Sequence, residues 1–151
     1  MKVLEVSVFD RVYCFPLRDV REVVPRFEIS EVPLAPSYIK GLINLRGKII
    51  SVVDLGRRLQ SKDIKIVPQK TCIVIISIDD IEVGVLVEEV NSVRSIDDEN
   101  ISENIPMKNG ETTYITGVIR NNENDQLNFL IDLAKVLEID LIRRLIEQKS
   151  G

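Results

Sequence analysis

The same succession of short strands and turns occurs twice in this chain of 151 residues. Each copy contains a strand, an aspartate-marked turn, a returning strand, a valine segment, a hairpin and an Asp-Leu corner. The turn residues Asp10 and Asp79 are 69 positions apart, and the corner residues Asp54 and Asp132 are 78 apart. A period of about 70 residues with several short strands per copy predicts two small β-barrels that arise from one duplicated unit.

The hairpin of the first copy, residues 38–55, is the most sharply defined part of this repeat. Aliphatic and β-branched residues flank an Arg-Gly turn, and such residues are typical of strands. Gly47 accepts the positive φ that a tight hairpin turn requires. Asn44 and Arg46 are polar exceptions beside the turn, where a hairpin directs side chains outward. The segment therefore predicts strand, turn, strand and corner.

The remaining segments fit the same all-β organisation. We expect a strand over residues 3–9, a turn at Asp10–Arg11, a helical turn after Pro16 and an exposed linker over residues 60–70. The second copy carries extra residues, most of them between positions 95 and 113. We interpret residues 1–151 as a single domain with nominal halves at 2–60 and 71–137, followed by a helix end at 138–151.

The C-terminal segment predicts an amphipathic helix. Asp132 is a candidate N-cap, because its side chain accepts hydrogen bonds from the first N–H groups of a helix. Apolar residues then recur at helical spacing and form one broad stripe, at Leu133, Val136, Leu137, Ile139, Leu141, Ile142, Leu145 and Ile146. We expect this stripe to pack against a barrel, and the alternative is that it binds a partner helix.

Composition excludes several classes of function. The net charge of −4 makes nucleic acid a poor default partner, and the absence of histidine removes the usual general base and metal ligand. Cys14 and Cys72 lie far apart in apolar runs, which is typical of buried, reduced thiols. No apolar run reaches the roughly 20 residues of a membrane span. We therefore predict a cytoplasmic protein without cofactor or metal.

The acidic clusters of the chain do not form a recognisable catalytic motif. They lie at predicted turns and loop starts, without a converging histidine or a second polar cluster. What remains is an interaction protein, in which two neighbouring barrels leave a groove for a helix of another chain.

Residues 39–55 resemble the signature of CheW-like domains, the coupling proteins of chemotaxis. Residues 12–23, 82–90, 114–118 and 130–133 resemble further segments of that family, so the likeness extends over residues 3–137. Ser51, where the family often has proline, and the polar loop at 121–125 are departures from the pattern.

The resemblance implies two interlocked SH3-like five-stranded β-barrels with short helical turns and a C-terminal helix. It also implies a non-enzymatic adaptor that links the cytoplasmic tips of methyl-accepting chemoreceptors to the regulatory domain of the histidine kinase CheA. Such a protein is cytoplasmic and meets the inner membrane only through receptor arrays. The resemblance does not assign the kinase-facing residues.

Carried over by position, the resemblance places five residues in a receptor-binding groove: Val20, Glu22, Arg46, Cys72 and Val93. We hypothesise that Glu22 and Arg46 pair across this groove, since each matches a charged family position. The alternative is that Val20 and Val93 belong to the core, and that Arg46 merely covers the hairpin with its aliphatic stem.

Two other functions stay open from the sequence. One is a CheW-like module of a two-component signalling scaffold that is not devoted to motility. The other, from a different class, is a small enzyme that uses carboxylates. A cleft lined by converging ionisable groups would favour the enzyme, and a groove lined by aliphatic side chains would favour the adaptor.

Overall fold

The computed structural model describes residues 1–103, 114–121 and 124–139. Within those ranges the chain forms eleven strands and two short α-helices. The strands are β1 (Lys2–Val8), β2 (Arg11–Pro16), β3 (Val20–Val24), β4 (Ile39–Leu45), β5 (Lys48–Asp54), β6 (Cys72–Ile78), β7 (Ile81–Val87), β8 (Glu89–Ser95), β9 (Ile101–Ser102), β10 (Ile115–Arg120) and β11 (Leu127–Ile131). The helices are α1 (Leu55–Gln60) and α2 (Leu133–Val136), and 3-10 turns occupy Leu17–Asp19 and Asp98–Asn100.

The strands form two sheets, which confirms the all-β prediction with two small SH3-like barrels. The first sheet has the order β8-β1-β2-β11-β10-β9, and the second has the order β3-β6-β7-β5-β4. Neighbours are antiparallel except for the pairs β2–β11 and β5–β7, which are parallel. Both parallel pairs join one half of the sequence to the other.

The halves of the sequence exchange their first hairpins. β1 and β2 come from the first half, but they lie in the first sheet beside β8, β10 and β11 of the second half. Conversely, β6 and β7 lie in the second sheet beside β3, β4 and β5. Each sheet is therefore built from both halves.

The first sheet departs from the predicted five strands by one. β9 adds a sixth strand through the pairs Ile101–Ile119 and Ser102–Val118. In the second sheet, Ser30 makes a single bridge to Leu42 at the equivalent edge. The difference has its origin in the longer connection of the second copy, which supplies residues for a short strand.

The hairpin of residues 38–55 forms as predicted. Arg46 and Gly47 both have positive φ, at 51° and 84°, as expected for the tight turn that matches strand twist. The Asn44 side chain stabilises this turn, because its Oδ1 accepts the Gly47 N–H at 2.8 Å. This contact explains why a polar residue lies beside the turn.

The first turn of the chain lies one residue earlier than predicted, at Phe9–Asp10 rather than at Asp10–Arg11. Phe9 has a φ of 54°, which is unusual for a bulky residue. Its N–H donates to the Glu88 carboxylate, its ring packs against the core, and Lys62 Nζ lies 4.6 Å from the ring centroid. These distant contacts fix the turn at Phe9.

Equivalent aspartates begin the two helices. Asp54 Oδ1 accepts the Arg57 N–H at 3.0 Å, and Asp132 Oδ1 accepts the Lys135 N–H at 3.2 Å, so the predicted N-cap at Asp132 is confirmed. Asp54 is buried and also accepts the Ile64 N–H, at 3.0 Å. Ile64 is buried as well, so the segment predicted as an exposed linker covers part of the core.

The sequence predicted one continuous C-terminal helix, but the helix is interrupted at residues 137 and 138. α2 ends at Val136, and Glu138 has a φ of 50°, which is incompatible with a continuous α-helix. The Val136 carbonyl accepts a hydrogen bond from Arg58 Nε at 2.8 Å, where a longer helix would use it for an N–H four residues on. The predicted apolar positions Leu141, Ile142, Leu145 and Ile146, with most of the 138–151 helix end, lie outside the described residues.

Arg58 joins the two halves of the chain. Its guanidinium carbon lies 4.8 Å from the centroid of the Tyr38 ring and 4.9 Å from that of the Tyr114 ring. Arg58 also donates to Glu138 at 2.6 Å, and the Tyr38 hydroxyl donates to the same carboxylate at 3.1 Å. We call these four residues the Arg58 clamp. The clamp joins α1 to the residues that directly precede β4 and β10 and to the segment that follows α2.

The main hydrophobic core draws residues from both sheets and both helices. The run Ile73–Ile76 of β6 is completely buried. Large side chains from both halves complete it, among them Phe15, Leu55, Leu86, Ile131 and Leu133. A smaller cluster in the first sheet consists of Val3, Cys14, Ile96, Ile119 and Leu130.

Candidate interaction surface

Glu22 and Arg46 form an ion pair at one end of the second sheet. Arg46 makes two hydrogen bonds to the Glu22 carboxylate, one of them from Nη1 to Oε2 at 3.3 Å. The predicted pairing is therefore observed. β3, which carries Glu22, and the β4–β5 turn, which carries Arg46, belong to opposite edges of the second sheet. The ion pair therefore joins the two edges of this sheet.

The ion pair changes the acidity of both partners. The hydrogen bond from Arg46 is the main cause that lowers the pKa of Glu22, with the charges of Arg46 and Arg21 adding to it. In return, the Glu22 carboxylate raises the pKa of the Arg46 guanidinium. The side chain of Arg46 is 70% exposed and that of Glu22 is 32% exposed, so a partner has access to the pair.

Two further cations lie beside this pair, and the sequence did not predict the ion pairs that they make. Glu82 of β7 accepts ion pairs from Lys48 Nζ at 3.3 Å and from Arg21 Nε at 4.0 Å. We call the five residues Arg21, Glu22, Arg46, Lys48 and Glu82 the ion-pair cluster. It contains three cations and two carboxylates. No local sequence pattern predicts this cluster, because the parallel β5–β7 pairing brings together distant parts of the chain.

Val20 and Cys72 lie on the neighbouring strands β3 and β6 of the second sheet. Val20 pairs with Ile76, and both Val20 and Cys72 are half-buried and pack against the main core. Cys72 is four residues from Ile76 along β6, a distance of about 13 Å at the usual rise of a strand. Val20 is therefore partly a core residue, as the alternative interpretation of the sequence proposed.

Val93 lies on the other sheet. It is on the edge strand β8, where it pairs with Leu4 of β1, and its side chain is 55% exposed. Val93 is therefore an accessible apolar residue rather than a core residue. The structure brings Glu22 and Arg46 into contact, and it distributes the other three predicted residues over two sheets.

Two surface clefts in the described part of the chain lie away from the Glu22–Arg46 pair. Two clefts of about 640 and 300 Å³ share Met1, Pro16 and Arg18. Asp19 and Asp132 both line the smaller cleft; burial is the main cause that raises the pKa of Asp19, and the Asp132 charge adds to it. The Asp132 carboxylate is already used as a helix N-cap. One carboxylate of this cleft is therefore engaged in a structural hydrogen bond.

The sequence also did not predict the buried carboxylate of Glu5. Glu5 lies between β2 and β8, and its carboxylate accepts hydrogen bonds from Arg94 at 3.3 Å and from Asn128 at 3.2 Å. These partners are 89 and 123 positions away. The alternating pattern of β1 gives no signal for them.

The described residues contain neither a metal-binding cluster nor a helix suited to a membrane span. Across residues 1–103, 114–121 and 124–139, no three or more Cys, Asp or Glu side chains lie close enough together to hold a metal ion. The same part of the chain has no helix with the length and apolar character needed to cross a membrane.

Comparison with known proteins decides the family. The sequence profile of the CheW-like domain matches residues 2–140. The chain belongs to the CheW-like family. This CheW-like chain is 32% identical to the chemotaxis protein CheW of Bacillus subtilis over 137 residues, which is 91% of this chain and 86% of that protein. It is 29% identical to the chemotaxis protein CheW of Thermotoga maritima, over 91% and 87% of the two chains.

A solved structure gives the same answer for the fold. The crystal structure of the scaffolding protein TtCheW from Thermoanaerobacter tengcongensis superposes on the CheW-like chain with a TM-score of 0.76. The two are 31% identical, and the match covers 87% of this chain and 88% of the other. The names of these relatives describe chemotaxis and scaffolding rather than catalysis, in agreement with the non-enzymatic prediction.

Proposed function

We propose that this CheW-like chain is a chemotaxis adaptor, which couples the cytoplasmic tips of methyl-accepting receptors to the regulatory domain of the histidine kinase CheA. The observation that carries the proposal is the exposed Glu22–Arg46 pair, found at the two charged positions that the family resemblance marks as receptor-facing. The match to chemotaxis proteins over nine-tenths of the chain supports it.

The receptor-facing surface would consist of the ion-pair cluster together with Val20, Cys72 and Val93. Charged residues at its centre would set the register of a helical hairpin, because electrostatic complementarity contributes more to specificity than to raw affinity. The exposed part of Val93 offers apolar contact area. The adaptor would act in the cytoplasm and reach the inner membrane through receptor arrays.

Co-sedimentation tests the whole proposal. Receptor signalling fragments assembled on vesicles are mixed with the full chain, in the presence and absence of CheA. We expect the chain to sediment with the receptors, and to increase the amount of CheA that sediments with them. A chain that binds neither partner contradicts the adaptor, and a chain that binds the kinase alone favours a scaffold of another signalling system.

A double-mutant cycle tests the role of the ion pair. Receptor affinity is measured for Glu22→Ala, Arg46→Ala and the double variant, and we expect the two single effects to be non-additive because the side chains share a contact. Arg120→Ala is the matched control, since Arg120 has a similar exposure of 72% and pairs with Asp125 outside the ion-pair cluster. Additive effects of Glu22→Ala and Arg46→Ala would remove the pair from the receptor interface.

A further inference from the structure

Glu82 lies at the centre of the second sheet and pairs with cations from both sides of it. It is the second residue of β7, which is the middle strand of the order β3-β6-β7-β5-β4. Its Oε1 atom lies 3.3 Å from Lys48 Nζ of β5 and 4.0 Å from Arg21 Nε of β3. One carboxylate oxygen is therefore the common partner of two strands that are not neighbours of each other.

The charged groups of the ion-pair cluster differ in their exposure. The side chains of the three cations are between 59% and 70% exposed, whereas that of Glu22 is 32% exposed and that of Glu82 only 17%. Glu82 is thus the most recessed charge of the cluster, and salt screens it less than it screens a fully exposed carboxylate. A carboxylate in this position holds the cations without occupying the surface that a partner would contact.

Two short segments connect Glu82 to the Glu22–Arg46 pair. In residues 21–22, the arginine pairs with Glu82 and the glutamate pairs with Arg46. In residues 46–48, the arginine pairs with Glu22 and the lysine pairs with Glu82. Each segment is therefore attached at two points, and the contacts form a closed ring. Because both segments are tied to the centre of the sheet, Glu22 and Arg46 are held facing each other.

Glu82 also limits the competition for the Glu22 carboxylate. The hydrogen bond from Arg46 is the main cause that lowers the pKa of Glu22, but the charge of Arg21 contributes as well, so both arginines act on this carboxylate. Without the charge of Glu82, three cations would share the one remaining carboxylate of the cluster. Arg21 would then be free to take the Glu22 carboxylate from Arg46.

We propose that Glu82 is the positioning residue of the Glu22–Arg46 pair. It ties down the two segments that carry the pair and neutralises the cations that would compete with Arg46, so the Arg46 guanidinium is presented in one orientation. This inference rests on the proposed function, in which the pair faces the receptor. Glu82 acts through Arg46 and not by its own contact with a partner. Networks of several charges are the case in which surface ion pairs have measurable effects.

Two substitutions separate the charge of Glu82 from its shape. Glu82→Gln keeps the size of the side chain and removes its charge, whereas Glu82→Asp keeps the charge on a side chain that is one methylene shorter. Asp63→Asn is the matched control, because it also removes a carboxylate that pairs with an arginine, Arg57 at 3.7 Å, outside the ion-pair cluster. Thermal unfolding verifies that each full-length variant keeps its fold.

The first measurement needs no partner. A guanidinium whose two Nη groups are both hydrogen bonded gives separate Nη signals in NMR spectra at low temperature, because rotation about its Cζ–Nη bonds is slow. Arg46 directs both Nη1 and Nη2 to the Glu22 carboxylate. We expect separate Arg46 signals in the wild type, in Glu82→Asp and in Asp63→Asn, and averaged signals in Glu82→Gln.

The second measurement is a calorimetric titration with a receptor signalling fragment. We expect Glu82→Gln to weaken receptor binding about two- to fivefold, which is the range that exposed ion pairs contribute. Glu82→Asp and Asp63→Asn are expected to bind the receptor as the wild type does.

Two results overturn the inference and leave the adaptor function intact. One is that Glu82→Gln changes neither the Arg46 signals nor the receptor affinity, or changes only one of them. The other is that Glu82→Gln and Glu82→Asp have equal effects, which would assign the role to the shape of the side chain rather than to its charge. A wild-type chain that does not bind the receptor removes the proposed function, and the Arg46 signals then decide by themselves whether Glu82 positions the pair.

Discussion

At the scale of single residues, the Glu22–Arg46 pair makes a testable statement about pH. Because the pKa of Glu22 is lowered, its ionised form stabilises the folded chain at pH values above the range in which an ordinary glutamate titrates. That contribution is lost as the pH falls through the lowered pKa. We expect Arg46→Gln to raise the pKa of Glu22 towards its ordinary value, as followed by carbon NMR titration. Arg120→Gln is the control, and an unchanged Glu22 pKa in Arg46→Gln contradicts the observed hydrogen bonds.

The two cysteines differ in accessibility, which gives a second prediction for single residues. Burial raises the pKa of the Cys14 thiol to about 12, with a further contribution from the Glu5 carboxylate and an opposing one from Arg94. Cys72 is half-buried, and burial also raises its pKa. Because the thiolate is the reactive form, we expect a maleimide at pH 8 to label Cys72 much faster than Cys14. A fast phase that survives Cys72→Ser would contradict this order.

Single-residue reasoning from the sequence succeeded where the residue's role is local or is marked by the family. Gly47 and the N-cap Asp132 could be predicted, because turn and cap chemistry depends on neighbours within a few positions. Glu22 and Arg46 were found through the resemblance. The contact between Lys48 and Glu82 was not predicted, since it depends on the pairing of strands from different halves.

At the scale of secondary-structure elements, the equivalent N-caps Asp54 and Asp132 contribute different amounts to the free energy of unfolding. Asp132→Ala removes one N-cap bond and costs about 1 kcal/mol of unfolding free energy. Asp54→Ala also leaves the buried N–H of Ile64 without its acceptor, so its cost rises to about 2–4 kcal/mol. Chemical denaturation of both variants measures the difference, and equal costs would contradict a role for the Ile64 contact.

The pH dependence of the Asp54 variant follows from the same burial. Burial is the main cause that raises the pKa of Asp54, against the two backbone hydrogen bonds, which lower it. A carboxyl with a raised pKa contributes stability that is fully present below its unfolded pKa and is lost as the pH rises through the folded value. The difference in unfolding free energy between the wild type and Asp54→Ala is therefore expected to decrease as the pH rises from the unfolded pKa of Asp54 through its raised folded pKa.

The C-terminal helix shows where prediction of an element fails. Its apolar spacing is correct through Val136 and Leu137, both of which are buried. The helix ends because Arg58, 78 positions earlier, binds the Val136 carbonyl and the Glu138 side chain. Periodicity describes which face of a helix is apolar, but it contains no information on a side chain that arrives from another element.

At the scale of the whole molecule, the exchange of hairpins turns a sequence duplication into one cooperative structure. Neither half holds a complete sheet, because the strands beside β1 and β2 come from the second half and those beside β6 and β7 come from the first. The Arg58 clamp adds a polar contact between the halves, through Tyr38 and Arg58 on one side and Tyr114 and Glu138 on the other. The repeat was visible in the sequence. The exchange was indicated by the family resemblance alone, since equal spacing is compatible with two separate barrels.

Fragment complementation tests this exchange directly. We expect the peptides 1–65 and 66–151 to be largely unfolded when separate, because each would leave strands without partners and apolar faces uncovered. An equimolar mixture is expected to recover the far-ultraviolet circular dichroism of the intact chain and a single cooperative thermal transition.

Two variants of the first fragment locate the contacts that hold the pair together. Arg58→Ala removes the contacts to Tyr114 and Glu138 of the second fragment, so we expect weaker association in a titration. Arg57→Ala is the matched control, because the side chain of Arg57 pairs with Asp63 inside the same fragment. A separate fragment that folds cooperatively would show that a half is self-contained. Equal effects of the two arginine variants would show that the clamp does not join the halves.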